Sequence, residues 1–246
     1  MSSATTELDL HQIPPAYREG LGRYGRLLAE LAGDNLLALT AFGGWRVKDP
    51  FFDGEPARSV AVLDHVDLVM LDKLAGHGAE LGRLNVAAPL VMTPDYIAAS
   101  ADVFPVELLE IRQTGACVLG KDYFADLQIE RRHLRLQCER EFKSGLIQLR
   151  QGLLAAAGKR HALRELCLSA VARTLTLLRG LLVAGAVEQP PARAAEIVEH
   201  AARSCRLELT MLADLVAEPR DVSFEDFARF YDEIDRLARY ADSLEV

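Results

Sequence analysis

The residues best suited to chemistry lie in one short stretch, Asp64–Asp72, which reads D-H-V-D-L-V-M-L-D. Its apolar middle reads as a short buried strand with acidic residues at its start and end. Alternate residues of a strand point to one face. Two carboxylates at i and i+2 would therefore converge, and could hold a divalent cation against a phosphate. At that spacing Asp67 is partnered by His65, an imidazole rather than a second carboxylate. Asp64 falls on the opposite face of a regular strand, unless a β-bulge turns it inward. Imidazole removes a negative charge and a hard oxygen donor, and favours zinc, manganese or nickel over magnesium. Asp72 reads as the cap of a helix starting at Lys73.

The elements that would position this stretch precede and follow it. Residues 1–15 are polar, end in Pro14-Pro15, and read as a loose arm. Tyr17–Leu31 has helical apolar spacing at Leu21, Tyr24, Leu27, Leu28 and Leu31, and Gly33-Asp34 closes it. Asn35–Phe42 reads as a buried strand ending in Gly43-Gly44. A polar loop follows, with Pro50, Gly54 and Pro56. Val60–Leu63 and Val66–Leu71 are strand-like, Lys73–Leu84 is a glycine-diluted helix, and Val86–Met92 is a further strand. Thr93-Pro94 starts a helix to about Ala101. Another runs from Pro105 to Gln113, and Cys117–Leu119 is a last strand.

From Ile129 onward the pattern is helical only. Leu134, Cys138, Phe142, Leu146, Leu149 and Leu153 form one apolar stripe. Leu163–Val183 is apolar on several sides and reads as central to a bundle. Helical segments follow at Ala192–Cys205 and Leu207–Ala217. Ser223-Phe-Glu-Asp226 resembles a capping box opening a final helix. The expectation is an α+β protein: residues 1–125 as a small mixed-sheet domain with flanking helices, and residues 126–246 as an all-α helical bundle.

The formal charge is −8. Residues 1–125 carry 10 Lys/Arg against 17 Asp/Glu, so the sheet half is a poor partner for nucleic acid. The four cysteines, Cys117, Cys138, Cys167 and Cys205, are dispersed and read as reduced core thiols. The N-terminus lacks the pattern of a signal peptide. The longest apolar run, Leu181–Val187, is too short to span a bilayer. A cytoplasmic protein with no membrane partner is expected.

A helix, a strand ending in Gly-Gly and an acidic second strand together resemble the nucleotidyltransferase superfamily. Thr93–Ile111 (T-P-D-Y-I-A-A-S-A-D-V-F-P-V-E-L-L-E-I), V-L-G-K-D at 118–122 and L-R-L-Q-C-E-R-E at 134–141 resemble a bacterial branch of uncharacterised nucleotidyltransferase-like proteins. In the superfamily a Gly-Ser pair after the first strand cradles a triphosphate, and a D-x-D on the next strand holds two magnesium ions. The resemblance places Gly43 and Gly44 at the cradle, without the hydroxyl, and His65-Val66-Asp67 at the D-x-D. It implies Asp67 and Asp64 as catalytic carboxylates, and Asp67, His65 and Asp64 as ligands of magnesium or manganese. Arg131 and Arg135, beside Arg132, are candidates to reach a nucleoside triphosphate; the other reading is a solvated helix face.

Three functions follow. The first is a degenerate member that binds nucleotide or an anion with little or no transfer. The second is an active, metal-dependent transferase moving a nucleoside monophosphate to a hydroxyl of a small molecule or protein. The third is a non-catalytic interaction module, with a homodimer through the helical bundle.

Overall fold

The computed structural model describes residues 7–47 and 49–246. Two compact units are present. One holds the chain up to Ala101 together with Glu110–Gln128, and the other holds Asp102–Leu109 with Ile129–Val246. The fold is mixed α+β, as the order of strands and helices leads one to expect.

The first unit is built on a four-stranded sheet. Its strands are β1 (Leu36–Phe42), β2 (Arg58–Leu63), β3 (Leu90–Met92) and β4 (Ala116–Gly120). The sheet order is β3-β2-β1-β4. β1 runs antiparallel to both β2 and β4, and β3 runs parallel to β2. Pro89 precedes β3 and cannot donate to a ladder, which explains why the strand expected over Val86–Met92 is only three residues long. Helix α1 (Pro15–Ala32) lays Leu21, Tyr24 and Leu28 on Leu39, Ala41, Ala61 and Leu63 of the sheet.

The supposed loose arm is tied down over its described part; residues 1–6 lie outside the described residues. Ile13 is fully buried, Leu8 and Leu10 pack on the same core, and the Asp9 N–H donates to the Val118 carbonyl at 2.9 Å.

The largest departure is in the acidic stretch. β2 ends at Leu63, and residues 64–67 form a turn. Helix α2 then runs Leu68–Ala75 with Asp67 at its N-cap, Oδ1 accepting from Val69 N at 2.9 Å and Met70 N at 3.2 Å. Only Met70 and Leu74 of α2 are buried, four residues apart, while Val66, Leu68 and Val69 are exposed. The strand expected over Val66–Leu71 is therefore a turn and a helix. Asp72 lies inside α2 and caps nothing; α3 (Gly78–Arg83) begins later, after His77.

After α3 come α4 (Pro94–Ala99), capped by Thr93, and α5 (Pro105–Thr114). The second unit continues with α6 (Arg131–Ala156), α7 (Arg160–Ala184), α8 (Ala194–Cys205), α9 (Thr210–Ala217) and α10 (Phe224–Ser243). The apolar stripe on α6 is buried from Leu134 to Leu149. Gly180 of α7 faces Cys138 so closely that a Cβ there would lie 3.0 Å from its sulfur. α7 is long and apolar enough to cross a membrane, but more than half of its most apolar window is buried inside this unit, so its hydropathy belongs to the bundle core. The Ser223/Asp226 capping box opens α10. The buried Glu233 carboxylate accepts from Met211 N at 2.8 Å and Leu212 N at 2.9 Å, which caps α9 from the side.

Candidate functional site

Antiparallel pairing decides where each candidate residue lies. Phe42 stands opposite Arg58, and Leu36 opposite Leu63. Gly43 and Gly44 therefore leave one end of the β1–β2 pair, while Asp64, His65 and Asp67 follow the other. Six residue steps separate the two ends, about 20 Å of strand. The structure does not bring the glycine pair and the acidic stretch into one site.

At the acidic end the groups face solvent. Asn35 brackets the turn, its side-chain amide donating to His65 O at 3.1 Å and its Oδ1 accepting from His65 N at 3.0 Å. His65 Nδ1 lies 3.4 Å from Asp64 Oδ2, so these two side chains meet. Both are about 70% exposed. The Asp67 carboxylate is turned to its own helix by the two N–H groups it accepts. Among the described residues no three His, Cys, Asp or Glu side chains are grouped to hold a metal ion.

At the glycine end the space is filled by the chain itself. Gly43 has a φ of +122°, a conformation that side chains rarely adopt, and its N–H donates to Thr114 Oγ1 at 3.0 Å. A Cβ on Gly44 would lie 2.4 Å from two ring carbons of Phe52. Glycine at position 44, where the resemblance implies a serine, is thus a packing requirement, with the Phe52 ring against the space a side chain would take. Trp45, the only tryptophan, is buried and donates Nε1–H to Phe42 O at 2.8 Å.

Across the strand pair from this turn, Arg58 forms a two-pronged ion pair with Glu110, at 3.0 and 3.1 Å. The guanidinium also sits 4.4 Å from the centroid of the Phe42 ring. Glu110 is buried, so both of its oxygens are matched by a fixed cation. Burial pushes the Glu55 carboxyl up from its ordinary range; Arg58 pulls it back and Glu110 pushes it further. Arg46 donates to Thr114 O and makes no ion pair among the described residues; burial lowers its guanidinium.

A divalent cation is what the resemblance implies, and this donor set does not fit one. The buried carboxylate at the strand end already holds a guanidinium, and the exposed carboxylates lie about 20 Å of strand away. Sequence reading missed Arg58, Glu110 and Phe52. The available signal was Glu110 itself, a lone acid between Leu109 and Ile111 on a helix.

Arg131 and Arg135 bond within the second unit. Arg131 Nε donates to Ala184 O at 2.7 Å, at the end of α7. Arg135 pairs with Glu139 at 3.1 Å and donates to Ala241 O and Asp242 O, both at 3.0 Å, near the end of α10. Cations at helix C-termini meet unpaired carbonyls and the negative end of the dipole.

No family model matches the chain, and no curated protein matches it. Among solved structures it is similar to the spectinomycin adenyltransferase AAD(9) from Enterococcus faecialis, solved with ATP and spectinomycin. The TM-score is 0.57 at 9% identity, over 92% of this chain and 99% of that one. At that identity the likeness is one of backbone architecture: the chain has the nucleotidyltransferase fold.

Proposed function

We propose that this protein is a nucleotidyltransferase-fold binding protein that does not transfer nucleotides. The Arg58–Glu110 pair carries the reading, because a built-in cation occupies the buried carboxylate at the strand end beside the glycine turn. The polypeptide supplies there the charge balance that metal ions supply in a two-metal site. A nucleotide is the ligand that the fold supports best, since its structural neighbour was solved with ATP. Arg46, next to Gly44 and without an ion-pair partner among the described residues, suits an anionic group.

The test is a panel of nucleoside triphosphates with magnesium and with manganese. Pyrophosphate release should stay at background, and ATP should raise the melting temperature equally with and without metal. Pyrophosphate release that is lost in Asp67→Asn would overturn the proposal. Asparagine keeps the helix cap and removes only the charge, so such a loss would report chemistry rather than folding.

A further inference from the structure

Beside the glycine turn, within the first unit, lies an open groove of about 520 Å³. Its walls include Pro15, Tyr17, Trp45 and Phe52, together with the buried Asp49 and the exposed Asp53. The volume lies in the range of small-molecule sites. The Tyr17 and Trp45 rings are 4.6 Å apart between centroids and inclined at 39°. The Tyr17 hydroxyl is anchored on Glu55 O at 3.0 Å, which fixes the ring. Asp49 caps the short 3-10 turn Pro50–Phe52 through Phe51 N, at 2.9 Å. Asp53 is exposed and makes no ion pair among the described residues.

These features share one polarity. Aromatic faces carry negative charge density and attract cations. The exposed Asp53 carboxylate adds to it, and no basic side chain is among the described residues of the lining. Burial, then the nearby Asp53 and Glu55 carboxylates, push the Tyr17 hydroxyl above its ordinary range, so the ring stays neutral. The N-terminus of α1 opposes this with about half a positive charge, less than the full negative charge of the Asp53 carboxylate.

We propose that this groove binds a small organic cation of the alkylammonium or trimethylammonium class, with its charge over the Tyr17 ring and against the Asp53 carboxylate. Proline walls give the alkyl groups rigid apolar contact. This site does not rest on the nucleotide reading, and the two ligands carry opposite charge.

The single tryptophan makes the test direct, because Trp45 lines the groove. Choline chloride is titrated into the full-length protein against matched sodium chloride, following Trp45 emission. The uncharged isostere 3,3-dimethylbutan-1-ol is titrated in parallel. A saturable change is expected with choline, and binding about tenfold weaker with the alcohol. Asp53→Asn, a change at an exposed loop residue, should weaken choline about fivefold and leave ATP-induced stabilisation unchanged. Equal affinity for choline and the alcohol, an unchanged choline affinity in Asp53→Asn, or no saturable response to choline would each overturn the proposal.

Discussion

The two ends of the β1–β2 pair carry opposite solutions to the same problem of placing charge beside a sheet. At the glycine end the charges are internal: Glu110 is buried, Arg58 meets it with two hydrogen bonds, and a Phe52 ring closes on Gly44. At the acidic end Asp64 and His65 lie in water, and Asp67 serves the first turn of α2. A carboxylate beside a strand is thus not in itself a site. Its meaning depends on which end of the strand it occupies, how far it is from water, and what already accepts or neutralises its charge.

This contrast can be broken by mutation, and the largest effect belongs to the closed end. Gly44→Ser introduces the hydroxyl that the resemblance implies at this position and should destabilise by about 3 kcal/mol in chemical denaturation, because its Cβ collides with Phe52. A stable Gly44→Ser protein would mean that the Phe52 ring yields and that the turn is not closed by packing. Arg58→Ala comes next, at about 2 kcal/mol, since it leaves the buried Glu110 unpaired; the partial exposure of Arg58 keeps the figure below that of a fully buried pair. Asp67→Ala should cost about 1 kcal/mol as a lost helix cap, and Asp67→Asn only a few tenths. If the alanine and asparagine variants were equally destabilised, the charge itself would matter and the open end would deserve the role denied to it above.

The smallest effect sharpens the comparison through pH. The Glu55 carboxyl is raised in the folded protein, so its proton favours folding below the ordinary value near 4.5. That contribution is lost as pH rises through the raised value. Glu55→Gln, which keeps the uncharged form at every pH, should therefore stabilise slightly at about pH 7 and change little at about pH 4. Denaturation midpoints at the two pH values check the sign.

How much of this was legible follows from the range of each interaction. The α6 stripe, the Ser223/Asp226 box and the strand before Gly43 are local patterns with strong periods, and they folded as read. Asp64–Asp72 misled because four apolar residues in a row, L-V-M-L, satisfy a strand and a helix alike. The deciding signal was Asp67 as an N-cap, with Met70 and Leu74 one helical turn apart behind it. The Arg58–Glu110 pair joins residues 52 apart, and no spacing rule reaches that far. Gly-Gly gave a turn from sequence, but the ring that presses on it is supplied by Phe52, eight residues later.

The segment before α1 has a consequence for how the protein avoids aggregation. β4 is an outer strand of the sheet, and an outer strand offers bare carbonyls and amides as a template for another chain. Asp9 already takes the Val118 carbonyl, and Leu8, Leu10 and Ile13 fold over the apolar surface nearby. A chain shortened to begin at Pro14 would unveil both together, and its first failure should be aggregation through that outer strand rather than loss of helix content.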